Sequence, residues 1–490
     1  METPVGGECA RDGDAVPQSS VHHPHGAFAS TKVLDDDDFY RETNALAHSL
    51  DPSVGTSGVR YLEKSHLLED VYAYNDFSHD GTAPGAKKRS AVTPDMDKPY
   101  LISECNGHMF PTKSFDPWEK RQEHALRHAR ACRTTAASDG EISGCFGWVM
   151  FDYPTHKDFG SGDRVCYHGV MDAFRNPKLA AALYASQGDK TPVLEIGSPM
   201  DIGDYPAGNI GDIWAFTNAE EVALYKNDRF VASFRTKGWD GLPHGPVAID
   251  DTIGELLETQ EHFPHDKAEL LRKCLVSAGK NGRPGCRSRT RRAWRGPWRA
   301  TGSRWTTAWR SSGKYVGNWG GAATRWRFDA RTGGKTVASV TRASGAALHM
   351  EVRVSKTALC EGDTWDAAAV RVRILDEHGT PAPMRSSVRF SLTGAAALIG
   401  PDTVTAEGGM TGTYVRHHGR ERGRPFSAFP PPVCRRKRCA SRYKDKTSNR
   451  SEEYGTLMAR GTGKRSDCHR QHADAAGREP HRLRPAGRYA

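Results

Sequence analysis

The run Pro99-Tyr-Leu-Ile-Ser-Glu104 decides the fold, because a short apolar stretch that ends in an acid is typical of a buried strand running into a loop. Similar apolar runs, Asp70-Val-Tyr-Ala-Tyr74 and Cys145-Phe-Gly-Trp-Val-Met-Phe151, lie before and after it in the chain. The amphipathic segments Phe39–Leu50 and Trp118–Cys132 are predicted helices. This rhythm of strand, loop and helix predicts an α/β barrel arrangement, with catalytic groups at the carboxyl ends of the strands.

From about residue 190 the pattern changes to short strands joined by tight turns. Val222–Lys226 and Arg229–Phe234 flank Asn227-Asp228, a pair that is typical of a two-residue hairpin turn. Ala367–Ile374 and Ser387–Leu392 belong to a second set of strands. These patterns predict β-sandwich domains in the second half of the chain.

Size and composition limit the class of protein. A chain of 490 residues suggests roughly three domains, and no apolar run reaches the roughly 18 residues of a membrane helix. The first residues, Met1-Glu-Thr-Pro-Val-Gly-Gly-Glu8, lack the basic and apolar regions of a secretory signal, so we expect a cytoplasmic protein. Eleven cysteines, a sparse and odd number, favour reduced thiols over a disulfide framework.

The formal net charge of +10 originates in two segments. Residues 281–313 contain nine arginines and no acid, and residues 416–490 contain 20 lysines and arginines against seven acids. Neither segment has an apolar repeat. Three interpretations are open: nucleic-acid binding through phosphates and stacked aromatics, disorder without a role, or translation in a shifted reading frame of GC-rich codons. We favour the shifted frame and expect neither a nucleic acid nor a membrane as partner.

Long stretches resemble the β-galactosidases of glycoside hydrolase family 2, in particular bacterial members with additional C-terminal sandwich domains. The resemblance rests on Tyr61–His79, Ile102–Lys113, Gly147–Asp158 and Gly162–Asp172, and it covers about residues 35–280 and 314–415. It implies a retaining glycosidase that acts on terminal β-galactosides without a cofactor. A homo-oligomer stays open.

The implied fold is multidomain, α/β plus all-β: the C-terminal part of a (β/α)8 TIM barrel followed by immunoglobulin-like β-sandwich domains. The expected division begins with an atypical, frame-shifted N-terminus at 1–34 and a partial TIM-barrel catalytic domain at 35–188. A β-sandwich domain follows at 189–345, with a helical and basic insertion that is frame-shifted at 281–313. The chain then continues with an immunoglobulin-like β-sandwich domain at 346–415 and a basic, disordered tail at 416–490.

The resemblance makes Glu104 the nucleophile, whose carboxylate attacks the anomeric carbon and forms a covalent glycosyl-enzyme intermediate. From its position alone, Glu104 fits a loop cap or an ion pair better. The resemblance also makes Tyr74 a hydrogen-bond partner of the nucleophile and Trp148 a platform for the apolar face of the sugar. For both aromatic residues, the simpler interpretation is a place in the core.

Three further residues are candidate ligands of sugar hydroxyls, with loop-fixing hydrogen bonds as an equally good interpretation: His108, Asp152 and His156. No tight His, Asp or Glu spacing supports a metal site. Two other functions stay open. One is a β-glucuronidase- or β-mannosidase-type hydrolase, which shares the architecture, and the other is a non-catalytic carbohydrate-binding remnant.

A retaining enzyme needs a second carboxylic acid about 5–5.5 Å from the first. In the family this acid is the Glu of an Asn-Glu pair upstream, but residues 25–33 here read His-Gly-Ala-Phe-Ala-Ser-Thr-Lys-Val. We therefore expect a broken reading frame before about residue 34, a set of strands that cannot close a full barrel, and impaired hydrolysis.

Overall fold

The computed structural model describes residues 36–60, 63–76, 86–106, 110–155, 164–202, 209–281, 311–317, 324–360, 365–393 and 396–417, and the backbone of 457–462. The expected N-terminus at 1–34, most of 281–313 and most of 416–490 lie outside these residues, as do His108 and His156. Within the described ranges, none of the helices is both long enough and apolar enough to cross a membrane.

The first part of the described chain folds into a parallel sheet with helices between its strands. In chain order the elements are α1 (Asp37–Leu50), β1 (Ser57–Arg60), β2 (Val71–Asp76), α2 (Arg89–Val92), β3 (Tyr100–Cys105), α3 (Trp118–Ala136) and β4 (Gly144–Gly147). The strand order is β1-β2-β3-β4, and each neighbouring pair is parallel. In the part of the chain that the structure describes, this sheet is open and does not close into a barrel.

Local chemistry accounts for the helices of this part. The Asp36 carboxylate accepts a hydrogen bond from the Phe39 backbone N–H (3.0 Å), and two further acids occupy the first turn of α1, near the positive end of the helix dipole. α3 buries a face of small residues that includes Ala125 and Ala129, which lets it pack closely against its neighbours. One of these is α4 (Leu179–Ala185), which follows the two-stranded antiparallel sheet of β5 (Tyr153–Pro154) and β6 (Val165–Cys166).

The second part is antiparallel, as the alternating pattern predicts. Its elements are β7 (Leu194–Ile196), β8 (Trp214–Thr217), β9 (Glu221–Lys226), β10 (Arg229–Phe234), β11 (Val247–Ala248), α5 (Leu256–Glu261), α6 (His265–Asn281), β12 (Trp326–Thr332) and β13 (Lys335–Arg342). Two sheets, β10-β9-β12-β13 and β11-β8-β7, share one hydrophobic core with the two helices. Asn227 and Asp228 have φ angles of 49° and 63°, which are typical of the predicted hairpin turn.

The third part contains two further antiparallel sheets around a separate core. Its strands are β14 (His349–Val354), β15 (Ala367–Leu375), β16 (Ser386–Leu392), β17 (Ala396–Ile399), β18 (Thr403–Ala406), β19 (Met410–His417) and β20 (Leu457–Thr462). β20 pairs with β16 although it lies in the segment 416–490, where we expected a disordered tail. The rest of the segment after His417 lies outside the described residues, and its disorder stays a prediction.

Polar side chains join the three parts. The side chain of Gln122 in α3 donates to the Asp212 carbonyl and accepts from the Trp214 backbone N–H, both at 3.0 Å. The Tyr414 hydroxyl in β19 donates to the Ala173 carbonyl at 2.7 Å. The parallel sheet therefore carries hydrogen-bonded contacts to both antiparallel parts.

A buried lysine lies at the end of β9. The ammonium of Lys226 donates to the carbonyls of Lys314 (3.0 Å) and Tyr315 (2.6 Å), and it lies 4.8 Å from the ring centroid of Trp326. Burial, with a smaller contribution from the charge of Lys314, lowers the pKa of Lys226 to about 7. At neutral pH the folded protein therefore holds a partly neutral amine where an unfolded chain holds a charged one.

We predict that Lys226→Met flattens the pH dependence of stability. Between pH 7 and about 10.5 the unfolded chain binds a proton at this side chain that the folded chain does not, so stability rises with pH over this window in the unmodified protein. Urea unfolding at pH 7, 8 and 9 would measure the slope. Lys335→Met, at an exposed position of β13, should keep the original slope, and an unchanged slope in Lys226→Met would contradict the prediction.

Candidate active site

Glu104 lies near the carboxyl end of β3, at the edge of the parallel sheet where loops leave the strands. In the pairing of β2 with β3, Tyr74 is opposite Ile102, but Asn75 is opposite Glu104, because the register shifts by one residue at this point. The irregularity brings the side chain of Asn75 to the carboxylate. A β-bulge often redirects a side chain in this way at functional sites.

Asn75 is buried and held in one orientation. Its Oδ1 accepts a hydrogen bond of 2.8 Å from the Ser103 hydroxyl, so its amide nitrogen is left to donate to Glu104. Burial raises the pKa of Glu104 to about 7, and the hydrogen bond from Asn75 opposes this rise. The described residues contribute no second carboxylate to the pKa of Glu104.

Tyr74 lies at the end of β2, and its side chain is buried in the hydrophobic core cluster of the parallel sheet, with Tyr72, Tyr100 and Ile102. This place agrees with the simpler interpretation of an aromatic residue in the core. Its role as a hydrogen-bond partner of Glu104 stays a prediction.

Trp148 lies directly after β4 and beside the end of β3. Its backbone N–H donates to the carbonyl of Cys105 at 2.7 Å, which anchors it one residue away from Glu104. The indole N–H donates to the Tyr153 hydroxyl at 3.2 Å, and the two rings meet edge to face with centroids 6.0 Å apart. Burial is the main cause of the raised pKa of Tyr153, and the charge of Glu104 makes a small contribution, so the Tyr153 hydroxyl and the carboxylate lie on the same side of the sheet edge.

Asp152 is buried in an ion pair. Its Oδ1 accepts from the Lys178 ammonium (2.6 Å) and from the Gly169 backbone N–H (2.9 Å), and both charged side chains are almost fully buried. Burial raises the pKa of Asp152 to about 6 and lowers that of Lys178, in each case against the effect of the partner's charge. This geometry matches the loop-fixing interpretation of Asp152.

The strand end behind Glu104 is apolar and thiol-rich. The thiol of Cys105 hydrogen-bonds to Cys145, and this contact and burial raise the pKa of Cys105 while the same contact lowers that of Cys145. Asn106 ends the strand in the left-handed region (φ 65°), which asparagine tolerates better than most residues. Among the described residues no group of three His, Cys, Asp or Glu side chains could hold a metal ion.

The structure thus brings Glu104 and Trp148 together and adds two residues that the sequence reasoning missed, Asn75 and Tyr153. The signal for Asn75 was its place as a polar residue at the end of a strand next to β3. His108 and His156 lie outside the described residues, and their roles stay predictions.

Comparison with known proteins gives partial matches, and no protein-family model matches the chain. The chain is 46% identical over 225 residues to a β-galactosidase of Thermoanaerobacterium thermosulfurigenes, across 45% of this chain and 31% of that protein. It is 30% identical over 405 residues to a β-galactosidase of Rhizobium meliloti, across 79% of this chain and 45% of that protein. The chain therefore spans less than half the length of these relatives.

Among solved structures, a β-glycosidase from Bacteroides vulgatus superposes with a TM-score of 0.47 and 14% identity, across 79% of this chain and 46% of that chain. A β-glucuronidase from glycoside hydrolase family 2 superposes with a TM-score of 0.45 and 15% identity, across 80% of this chain and 37% of that chain.

We predict that Asn75→Ala raises the pKa of Glu104 above its value of about 7, by roughly one pKa unit, because the ionised form loses a hydrogen bond. The carboxyl carbon of labelled glutamate, followed by NMR against pH, would report the titration. Glu104→Gln identifies the signal by its loss. Asn218→Ala, which removes an amide from another strand end, should leave the titration in place, and an unchanged midpoint in Asn75→Ala would contradict the assignment.

We also predict that Lys178→Met lowers the free energy of unfolding by about 3–5 kcal/mol, because it leaves the buried carboxylate of Asp152 unpaired. Lys356→Met is the control, since it breaks a largely exposed pair with Asp366 and should cost under about 1 kcal/mol. Urea denaturation of both variants measures the difference in the free energy of unfolding. Equal decreases in the two variants would contradict the prediction.

Proposed function

We propose that this chain, a β-galactosidase-like protein of the glycoside hydrolase family 2 type, cleaves terminal β-D-galactosides with retention of configuration. Glu104 is the nucleophile in this proposal. The observation that carries it is the convergence of a half-buried carboxylate, an oriented amide and an aromatic pair at the carboxyl end of parallel strands.

In the proposed reaction the Glu104 carboxylate attacks the anomeric carbon, the glycosidic C–O bond breaks through an oxocarbenium-like transition state, and a glycosyl ester forms. Asn75 supports this role because its hydrogen bond favours the ionised carboxylate. Trp148, fixed by its bonds to Cys105 and Tyr153, offers an aromatic face to the apolar side of the sugar ring.

The proposal assigns the described elements to parts of a larger architecture. The open sheet β1-β2-β3-β4, with α2 and α3 between its strands, is the C-terminal portion of a TIM barrel within 35–188. The antiparallel parts correspond to the sandwich domains at 189–345 and 346–415, the latter of immunoglobulin type. His108 and His156 keep their proposed role as ligands of sugar hydroxyls, and Asp152 fixes its own loop through its bonds to Lys178 and Gly169.

We further propose that hydrolysis by this polypeptide is impaired because the second carboxylic acid is missing. This acid donates a proton to the leaving oxygen and later activates water, steps that together contribute factors of about 10²–10⁴. The burial of Glu104 without a neighbouring carboxylate contribution supports the proposal for the described residues.

A pair of substrates tests both proposals at once. With 2,4-dinitrophenyl β-galactoside, whose leaving group needs no proton, we expect one equivalent of dinitrophenol and a stalled glycosyl ester on Glu104, located by peptide mass spectrometry. Azide should then attack the anomeric carbon and release β-galactosyl azide together with free Glu104 carboxylate. Lactose, whose leaving group needs a proton, should react at least about 100-fold more slowly.

Two outcomes decide against the proposals. Labelling that survives in Glu104→Gln would reject Glu104 as nucleophile, and comparable rates with lactose and the dinitrophenyl substrate would reject the missing acid. Galactose binding without any labelling, unchanged by Glu104→Gln, would favour the carbohydrate-binding remnant. Glu141→Gln, an exposed substitution at the start of the turn before β4, is the matched control and should label as the unmodified chain does.

A further inference from the structure

A cleft of about 710 Å³ lies where the parallel-sheet part meets both antiparallel parts. Its walls come from the first turns of α3 and α4, from β7 and β13, and from the turn after β15. A hydrogen bond of 3.5 Å from Arg342 Nη1 to Thr380 Oγ1 connects the second and third parts beside it. Neither Glu104 nor Trp148 lines the cleft, so it is separate from the candidate active site.

The lining of this cleft is strongly basic. It contains five cationic side chains, Arg121, Lys178, Arg325, Arg342 and Arg373, and we call it the arginine cleft. Two acids, Glu195 and Glu377, face them. Like charges this close repel one another unless each is compensated, so the partners of each charge decide what the cleft can bind.

Both acids already have partners. Glu195 Oε1 accepts from Arg342 Nη2 at 2.8 Å. The carboxylate of Glu377 accepts hydrogen bonds from the backbone N–H groups of Ala346 (3.3 Å) and Ala347 (2.9 Å). Lys178 pairs with Asp152 behind the wall, and Arg325 Nη1 lies 3.8 Å from Asp228, which is outside the lining. The lining itself therefore carries more cations than acids.

Arg121 has no ion pair within hydrogen-bond distance among the described residues, although the charges of Glu195 and Asp116 oppose the lowering of its pKa. Its guanidinium packs 3.9 Å above the Trp118 ring, and its buried Nε has no hydrogen-bond partner among the described residues. Burial lowers the pKa of Arg121 to about 10, which leaves it charged at neutral pH. The buried Nε of Arg373 also lacks a partner in the described part of the chain, and its Nη1 is 3.7 Å from Glu351. Buried N–H groups of charged side chains are costly to leave unbonded.

We propose that the arginine cleft binds a sugar-sized ligand that carries a phosphate or carboxylate group. Arg121 and Arg373 line the cleft, and guanidinium groups match the planar or tetrahedral oxygens of such anions. The cleft volume lies within the roughly 300–1,000 Å³ of small-molecule sites and far exceeds what inorganic phosphate would fill. Apolar walls from Met171 and Ala182 suit the body of the ligand.

Calorimetric titration of the full chain with galactose 6-phosphate, galacturonate and galactose tests the proposal. We expect at least one of the two anionic sugars to bind and galactose not to bind in the cleft. The stronger of the two anions identifies phosphate or carboxylate as the recognised group. Arg121→Met should weaken binding at least about tenfold, and Arg121→Lys should restore part of it, since a lysine keeps the charge but not the fork of donors.

Controls separate the cleft from the catalytic site and from folding defects. Glu104→Gln should bind the anionic sugar unchanged, and so should Arg130→Met, which lies on the same helix but pairs with Glu123. Arg325→Met, whose side chain is 53% exposed, tests the cleft without disturbing the core and should also weaken binding. Three outcomes would overturn the proposal. They are the absence of binding by both anions, binding by Arg121→Met and Arg325→Met that is as strong as in the unmodified chain, and loss of binding in Glu104→Gln.

Discussion

One buried ammonium group holds together the loops on which the candidate site depends. Lys178 Nζ donates to the Thr112 carbonyl in the loop after β3, to Asp152 in the loop after β4, and to the Tyr167 carbonyl after β6. The first two of these loops follow the strands β3 and β4, which lead to Glu104 and Trp148, so this ammonium links the loops beside the candidate site. The ammonium and the Asp152 carboxylate are both desolvated, and the pair is stable only because every donor of the ammonium has an acceptor. Burying two charges is unfavourable, but the pair fixes the loops. Sites that must place groups accurately commonly have such supporting contacts.

The sequence predicted those parts of the fold that depend on short-range patterns. The helix expected at Trp118–Cys132 occurs as Trp118–Ala136, and the hairpin at Asn227-Asp228 has the expected strands on either side. β20 was missed, because a short strand in a basic segment is stabilised by its ladder with a distant strand and not by its own periodicity. The alternation of strands and helices predicted parallel strands, but β1 was not among the strands expected, and the packing of α3 against β8 through Gln122 required the structure.

The candidate site was predictable to the level of the strand, not of the residue. The position of Glu104 after an apolar run placed it at a strand end, where side chains converge at one edge of a parallel sheet, but its proposed role and that of Trp148 came from the family resemblance. Asn75 was not foreseen as a partner of Glu104, because a register shift between β2 and β3 puts it opposite the carboxylate. A one-residue offset changes which face a side chain occupies, and a single sequence contains no signal for such an irregularity. The same limit applies to Lys178, which is 26 residues from Asp152 in the chain but in direct contact with it.

The electrostatics of Glu104 follow from what surrounds it. Burial raises the pKa to about 7, and one amide hydrogen bond opposes burial without cancelling it, so about half of the carboxyl groups are ionised at neutral pH. For the proposed reaction, this balance places the ionised carboxylate in an environment that solvates it poorly before the sugar reacts. As positive charge develops at the anomeric carbon, the carboxylate gains a close opposite charge that it lacks in the resting protein. The interaction is therefore stronger in the transition state than in the ground state, which is the condition for an interaction to accelerate a reaction. The hydrogen bond from Asn75 limits the rise in the pKa of Glu104, and it therefore keeps enough of the carboxyl group ionised for the attack to begin.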